Sequence, residues 1–154
     1  MKKILAWVLV AVFAFGLIAC GGSKQPITAE AFRTAAEAAG LKVEDASATY
    51  TDKIFTGALL ATHSDGWQVV FLTIDTPEHA HEYFGTMKRF IEDQKTGAGS
   101  SQIVDNGKYG MYSQTNGGMF AYTFQVGNTL LYVPPVYADS YKETIQAFLK
   151  TINY

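Results

Sequence analysis

Apolar residues recur at two different spacings along residues 27–154, and these spacings predict helices and strands. Small apolar residues at helical spacing follow Thr28, which can cap the first turn, and they stop at Gly40, which can end the helix. A second helix is predicted after Thr76, with Pro77 at its first position, where a missing N–H costs nothing. Its apolar stripe contains Ala80, Tyr83, Phe84, Met87, Phe90 and Ile91. A third helix is predicted over about 138–152.

Strands are predicted where β-branched and aromatic residues alternate with polar ones or form short runs. Residues 54–74 read as a hairpin that turns at 64–66, and its second strand is apolar on both alternating sets, which is typical of a central strand. Further turn signals predict an antiparallel meander with strands near 108–114, 119–126 and 129–133, the last one ended by Pro134-Pro135. Residues 96–101 are predicted to be a loop.

These elements predict an α+β fold with a single antiparallel sheet of about five or six strands. Each helix has one apolar stripe, so the three helices are expected to pack mainly on one face of the sheet. Residues 66–91 also align without gaps on residues 127–152, which suggests two β-β-α units. Generic strand-then-helix patterning explains the same match equally well.

The first nineteen residues have a different character from the rest of the chain. Lys2 and Lys3 form a short basic head, and residues 4–19 then contain no charged residue. This order is that of a secretory signal peptide. The run is shorter than the roughly 20 apolar residues that a membrane-spanning helix needs, and a Gly-Gly-Ser sequence follows it closely.

Leu17-Ile18-Ala19-Cys20 contains the only cysteine of the chain and resembles the lipobox of bacterial lipoproteins. The resemblance implies that the Cys20 thiol receives a diacylglyceryl group and that a peptidase cuts between Ala19 and Cys20. The protein is then expected on the extracytoplasmic side of the cell membrane, held by its lipid. The alternative is an ordinary secreted protein with an incidental cysteine, although a lone thiol cannot form an internal disulfide.

The predicted organisation is a signal peptide at 1–19, a lipidated cysteine with a flexible tether at 20–26, and one domain at 27–154. The signal peptide holds two of the twelve basic residues and none of the fourteen acidic ones, so residues 20–154 carry a formal charge of −4. Nucleic acids and anionic lipid surfaces are bound through basic patches. The composition therefore predicts no nucleic-acid partner, and a membrane contact through the lipid alone.

No combination of residues predicts catalysis, a metal site or a cofactor. His79 and His81 are two positions apart, so on a helix their side chains point about 200° apart, whereas helical zinc ligands are spaced four apart. A Ser-His-Asp set drawn from Ser100 or Ser101, His63 and Asp65 has no nucleophile-elbow sequence to support it. The sequence therefore predicts a protein that is not an enzyme, with an unrecognised hydrolase as the weakest alternative.

Tyrosines are concentrated in the C-terminal half, where they offer a candidate interaction surface formed by Tyr109, Tyr112, Tyr122 and Tyr132. Tyrosine is enriched at protein interfaces, but it is also favoured in half-buried strands for packing alone. The leading hypothesis is a non-enzymatic interaction module of the bacterial envelope with an envelope protein as partner. The runner-up is a binder of a small envelope ligand, a cell-wall fragment or a lipid, in a cavity between sheet and helices.

Overall fold

The computed structural model describes residues 24–137 and 139–154, so the predicted signal peptide, the predicted cleavage site at Ala19 and the predicted lipidation site at Cys20 lie outside the described residues. The described chain forms three helices and seven strands. In chain order they are α1 (Ala29–Ala38), β1 (Lys42–Asp45), β2 (Phe55–Thr62), β3 (Gln68–Ile74), α2 (Pro77–Asp93), β4 (Gly99–Asp105), β5 (Tyr109–Asn116), β6 (Met119–Val126), β7 (Thr129–Val136) and α3 (Asp139–Thr151).

The strands form one antiparallel sheet in the order β1-β2-β3-β7-β6-β5-β4, which confirms the α+β class and the single sheet. The prediction of five or six strands was wrong, because the sheet has seven. The two unpredicted strands are the edge strands β1 and β4. β1 has only four residues, and every residue of β4 is exposed, so neither strand shows the alternation of buried and exposed residues that identifies a strand in sequence.

The helices cover both faces of the sheet, so the expectation of a mainly one-sided arrangement was incomplete. Residues of α1 and α3 pack with alternate residues of the central strands in one apolar core. Residues of α2 pack with the other alternate residues in a second core on the opposite face. Helices are needed on both faces of the sheet because all eight residues of β6 are buried, and β3 is apolar on both of its faces.

The internal sequence match does not correspond to a two-fold axis in the fold. β3 and β7 are antiparallel neighbours at the centre of the sheet, as two related units would require. A two-fold axis between antiparallel neighbours in one sheet would leave the helices that follow them on the same face, yet α2 and α3 lie on opposite faces. The two matched segments are therefore not related by symmetry in this fold.

The predicted helix ends are confirmed. Thr28 and Thr76 cap α1 and α2 by accepting hydrogen bonds from the backbone N–H groups of Ala31 and His79, and Gly40 adopts a φ of +83° just after α1. The prediction that Pro134-Pro135 ends the last strand was wrong, since β7 continues to Val136. Beyond Tyr132, β7 no longer pairs with β3 and keeps only its β6 neighbour, so a proline there leaves no β3 carbonyl without its donor.

Gly110 on β5 is the position where the packing of α2 on the sheet leaves least space. A Cβ atom there would lie 2.6 Å from Cε1 of the buried Phe84 ring. We expect Gly110→Ala to lower the free energy of unfolding by about 1–3 kcal/mol through overpacking. Gly85→Ala on α2 is the matched control: its Cβ meets no atom within 4 Å, and it should raise stability by up to about 1 kcal/mol. Urea titrations that rank the two variants in the reverse order would contradict this packing.

Candidate functional site

The four tyrosines predicted as an interaction surface are divided between the two faces of the sheet. Tyr109 and Tyr122 belong to the α1/α3 face, whereas Tyr112 and Tyr132 belong to the α2 face. Tyr112 is 4% exposed and Tyr122 is 9% exposed. The Tyr112 hydroxyl donates to Oε1 of Gln114, and Tyr109 stacks on Phe124. The four residues therefore form no common surface, and Tyr132 alone among them lines an open groove.

That groove, here called the α2 groove, lies beside helix α2 and has a volume of about 200 Å³. It is lined by Tyr50, Leu72, Tyr83, Met87, Phe90 and Tyr132. Phe90 and Tyr132 meet edge to face with ring centroids 6.4 Å apart, and on the other side Phe55 contacts the rings of both Tyr50 and Tyr83. The groove is thus walled by aromatic rings and lined by uncharged side chains.

Tyr50 reaches the α2 groove from the connection between β1 and β2. Hydrogen bonds hold this connection at both of its ends. The Ala46 N–H donates to the Ala58 carbonyl at 2.9 Å, and the Ser47 hydroxyl accepts from the Ala58 N–H at 3.2 Å. At the other end the Asp75 N–H donates to the Ile54 carbonyl at 2.8 Å. These bonds fix the segment against the sheet, so Tyr50 is a defined wall of the groove.

Burial raises the pKa of all three tyrosines of the α2 groove. Burial, with smaller contributions from Tyr50 and Tyr83, raises the pKa of Tyr132 to about 12. Burial also raises the pKa of Tyr50, and burial together with Tyr50 raises the pKa of Tyr83. All three phenols are therefore neutral at physiological pH. Each can donate or accept one hydrogen bond at the rim of an apolar groove.

A second concave surface, here called the terminal recess, lies where β3 begins and β7 ends. It has a volume of about 300 Å³ and is lined by Asp65, Gly66, Trp67, Gln68, Pro134, Pro135, Val136, Tyr137 and Tyr141. Trp67 is 3% exposed, and the His63 ring stacks on it at 4.9 Å between centroids. The indole Nε1 of Trp67 is buried without a hydrogen-bond partner among the described residues. Because protein encloses this nitrogen, a ligand in the recess would contact the aromatic side chains that line it and the Asp65 carboxylate.

The structure keeps apart the residues of the hypothetical catalytic and metal sets. His63 and Asp65 lie at the β2–β3 turn, whereas Ser100 and Ser101 lie on β4, the edge strand at the far side of the sheet. His79 pairs with Asp75, and Nε2 of His81 lies 3.8 Å from Oδ1 of Asp105. Within residues 24–137 and 139–154, no group of three or more His, Cys, Asp or Glu side chains could hold a metal ion.

The His79–Asp75 pair predicts a pH dependence of stability. Nδ1 of His79 lies 2.7 Å from Oδ1 of Asp75; this contact raises the pKa of His79 above 6.5 and lowers that of Asp75 below 3.8. The pair therefore stabilises the fold fully between those two unfolded-state values. Its contribution falls as the pH rises through the raised pKa of His79, and also as the pH falls through the lowered pKa of Asp75.

We expect the free energy of unfolding to decrease slightly between pH 6 and pH 8, and the decrease to be smaller in Asp75→Asn than in the wild-type protein. Denaturant titrations at the two pH values measure the difference. The same change in the free energy of unfolding between pH 6 and pH 8 in both proteins would show that protonation of the pair is not coupled to folding.

No protein-family model matches this chain, and no curated protein or solved structure is significantly similar to it. Among the helices in the part of the chain that the structure describes, none is both long and apolar enough to cross a membrane. The candidate site is therefore identified from its geometry.

Sequence reasoning placed the three α2 residues of the groove in the right helix but gave them no role, whereas Tyr132 was named as a candidate interaction residue. Tyr83, Met87 and Phe90 belong to the apolar stripe of α2, yet only Ala80, Phe84 and Ile91 of that stripe are buried. The width of the stripe, six residues within twelve, is the signal in the sequence. A helix that lies on a sheet buries a narrower stripe than this, so some of the apolar residues remain exposed.

Proposed function

We propose that this chain is a lipid-anchored, extracytoplasmic protein of the bacterial envelope whose domain binds another envelope protein and catalyses no reaction. The anchor is supported by the basic head, the apolar run and the Leu17-Ile18-Ala19-Cys20 sequence. The interaction role is supported above all by the α2 groove. Its partner is a polypeptide that inserts an apolar anchor side chain into this groove.

The composition of the α2 groove supports a protein partner. Tyrosine, phenylalanine and methionine are enriched in the cores of protein interfaces, and charged residues are depleted there. The groove has five residues of these three types and no charge. Phe90 is 45% exposed and adjoins the other apolar side chains of the groove, so its exposed surface is part of a contiguous apolar patch that a partner can cover.

The size of the α2 groove also favours a side chain over a free ligand. Small-molecule sites have volumes of roughly 300–1,000 Å³. The groove, at about 200 Å³, has room for a single apolar side chain. Interface hot spots are commonly a large side chain of one protein seated in such a pocket of the other.

The alternative function is the binding of a small envelope ligand, and the terminal recess is the observation in its favour. The recess reaches about 300 Å³, the lower limit of small-molecule sites, and combines tyrosine and tryptophan rings with the Asp65 carboxylate. Sugar rings pack on aromatic side chains and hydrogen-bond to carboxylates, so a cell-wall fragment is the ligand class that fits this lining. The hydrolase alternative finds no support in the positions of His63, Ser100 and Ser101.

Phe90→Ser tests the proposed interaction. We expect the variant to bind its envelope partner at least about tenfold more weakly, the effect of losing ~1.4 kcal/mol at a hot spot. The measurement is the amount of partner co-purified with the tagged, lipidated protein. Ile103→Ser is the matched control, because Ile103 is 53% exposed but lies on β4, outside the groove.

Loss of the partner from Phe90→Ser but not from Ile103→Ser is the expected result, provided that both variants unfold at the wild-type temperature. Equal recovery of the same partner by both variants would contradict the role of the α2 groove. A partner released only by changes at Asp65 or Tyr137 would move the function to the terminal recess.

A further inference from the structure

We infer that one end of the sheet, here called the anchor end, is the surface of this domain that faces the lipid bilayer. The anchor end comprises the β6–β7 turn at Gly127-Asn128, the β4–β5 turn at 106–108 and the first turn of α2. The terminal recess lies at the opposite end and faces away from the bilayer. This inference rests on the lipid anchor at Cys20 proposed above.

The chain enters the domain at the anchor end and is held there by contacts. Nζ of Lys24 lies 3.1 Å from the Asn153 carbonyl and 4.5 Å from the centroid of the Phe124 ring. A Cβ built on Gly127 would lie 3.2 Å from Cγ of Pro26. The chain is thus fixed beside the β6–β7 turn from Lys24 onward, so the flexible tether predicted at 20–26 does not include Lys24 or Pro26.

The pairing of the strands assigns the other turns to the same end. Val126 pairs with Tyr109, which places the β4–β5 turn beside the β6–β7 turn. The Ile74 N–H donates to the Asn128 carbonyl, which places the start of α2 there as well. In contrast, Trp67 and Pro134 lie at the other end of β3 and β7, about seven residues away along the strands.

The short tether limits how far the anchor end can move from the bilayer. Only Gly21, Gly22 and Ser23 separate Cys20 from Lys24. Four residue steps of extended chain reach at most ~14 Å, whereas an eight-residue strand such as β6 is about 27 Å long. The tether is shorter than the domain, so the anchor end stays nearer to the headgroups than the terminal recess does.

The balance of charges at the anchor end gives it no preference for anionic over neutral lipid headgroups. Lys24, Lys53 and Lys108 are accompanied there by four acidic residues, Asp52, Asp75, Glu78 and Asp105, so the charged residues assigned to this end are not net basic. Anionic lipid attracts proteins through clusters of basic residues. We therefore expect the same orientation on neutral vesicles and on vesicles that contain anionic lipid.

Fluorescent labels at two exposed turns test this orientation. Lys108→Cys labels the anchor end, and Ser64→Cys, in the β2–β3 turn beside the terminal recess, is the matched control. The lipidated variants are placed on phosphatidylcholine vesicles whose headgroups carry a nitroxide quencher. The Cys20 sulfur is occupied by lipid, so each variant carries one label.

We expect the label at position 108 to lose most of its fluorescence on these vesicles, and the label at position 64 to lose little. Insertion of ten Gly and Ser residues after Ser23 should shrink this difference, because the longer tether frees the domain. Vesicle binding with equal quenching at both positions, or with stronger quenching at position 64, would overturn the orientation alone. If the wild-type protein does not bind vesicles, the anchor and the orientation both fail.

Discussion

Replacing Cys20 with alanine should abolish lipid labelling of this protein and leave its precursor uncleaved. The lipobox resemblance implies that the thiol is the acceptor of the diacylglyceryl group and that the peptidase acts on the modified precursor. The alanine side chain has no nucleophile to accept the lipid. Both lipid attachment and the cleavage that depends on it should therefore be lost. The measurement is the intact mass of the membrane-associated protein, combined with incorporation of a labelled fatty acid.

The wild-type protein should have the mass of residues 20–154 plus its acyl chains, and the variant should have the mass of the full chain. Each buried methylene contributes about 0.8 kcal/mol, so two or more acyl chains anchor stably where one does not. Gly22→Ala is the control, since it changes the same segment but keeps the thiol. Release of a cleaved, lipid-free mature protein from the Cys20→Ala strain would instead identify an ordinary secretory signal.

Phe71→Ala should lower the free energy of unfolding by about 3–5 kcal/mol. Phe71 on β3 stacks on Phe32 of α1 with centroids 4.8 Å apart and planes 13° apart, and neither ring is more than 1% exposed. Truncation removes the stacking contact and leaves a cavity where α1 meets the sheet. Domains of this size are stable by only about 5–15 kcal/mol, so the loss is a large fraction of the total.

Guanidinium chloride titrations measure this loss, and Ile103→Ala is the control. Ile103 is 53% exposed on edge strand β4, so its truncation should change stability by no more than about 0.5 kcal/mol. A loss below about 1 kcal/mol for Phe71→Ala would mean that α1 does not pack on β3 as the structure shows.

Local signals in the sequence predicted those parts of the fold that local interactions determine. The caps at Thr28 and Thr76 and the left-handed Gly40 are properties of a few neighbouring residues, and all three are confirmed. The edge strand β4 has no such signal. Its seven residues pair with β5 across the turn at 106–108, but every one of them is exposed, so the strand shows no alternation of buried and exposed residues.

The division of the helices between two faces was also implicit in the sequence. The strand 68–74 is apolar on both alternating sets, which requires a cover on each side, yet each helix taken alone shows only one apolar stripe. Which helix covers which face depends on how the chain crosses the sheet. That crossing is a property of the whole fold.

The four tyrosines do not form the predicted common surface, because successive residues of a strand point to opposite faces of the sheet. Tyr109 and Tyr112 are three residues apart on one strand, and odd separations place side chains on opposite faces. The α2 groove could be predicted only in part. The wide stripe of α2 indicated surplus apolar residues. Tyr50, however, joins them from the connection between β1 and β2, whose position depends on hydrogen bonds to Ala58 of β2 and to Asp75 just before α2.

The most direct test of the proposed interaction is photo-crosslinking in living cells from position 90 of the lipidated protein. A photoreactive amino acid replaces Phe90 in one strain and Ile103 in a control strain, and mass spectrometry identifies what is attached. The account predicts one envelope protein crosslinked from position 90 and absent from position 103. No crosslinked protein at position 90, under conditions that capture a known envelope complex, or the same proteins from both positions, would contradict it.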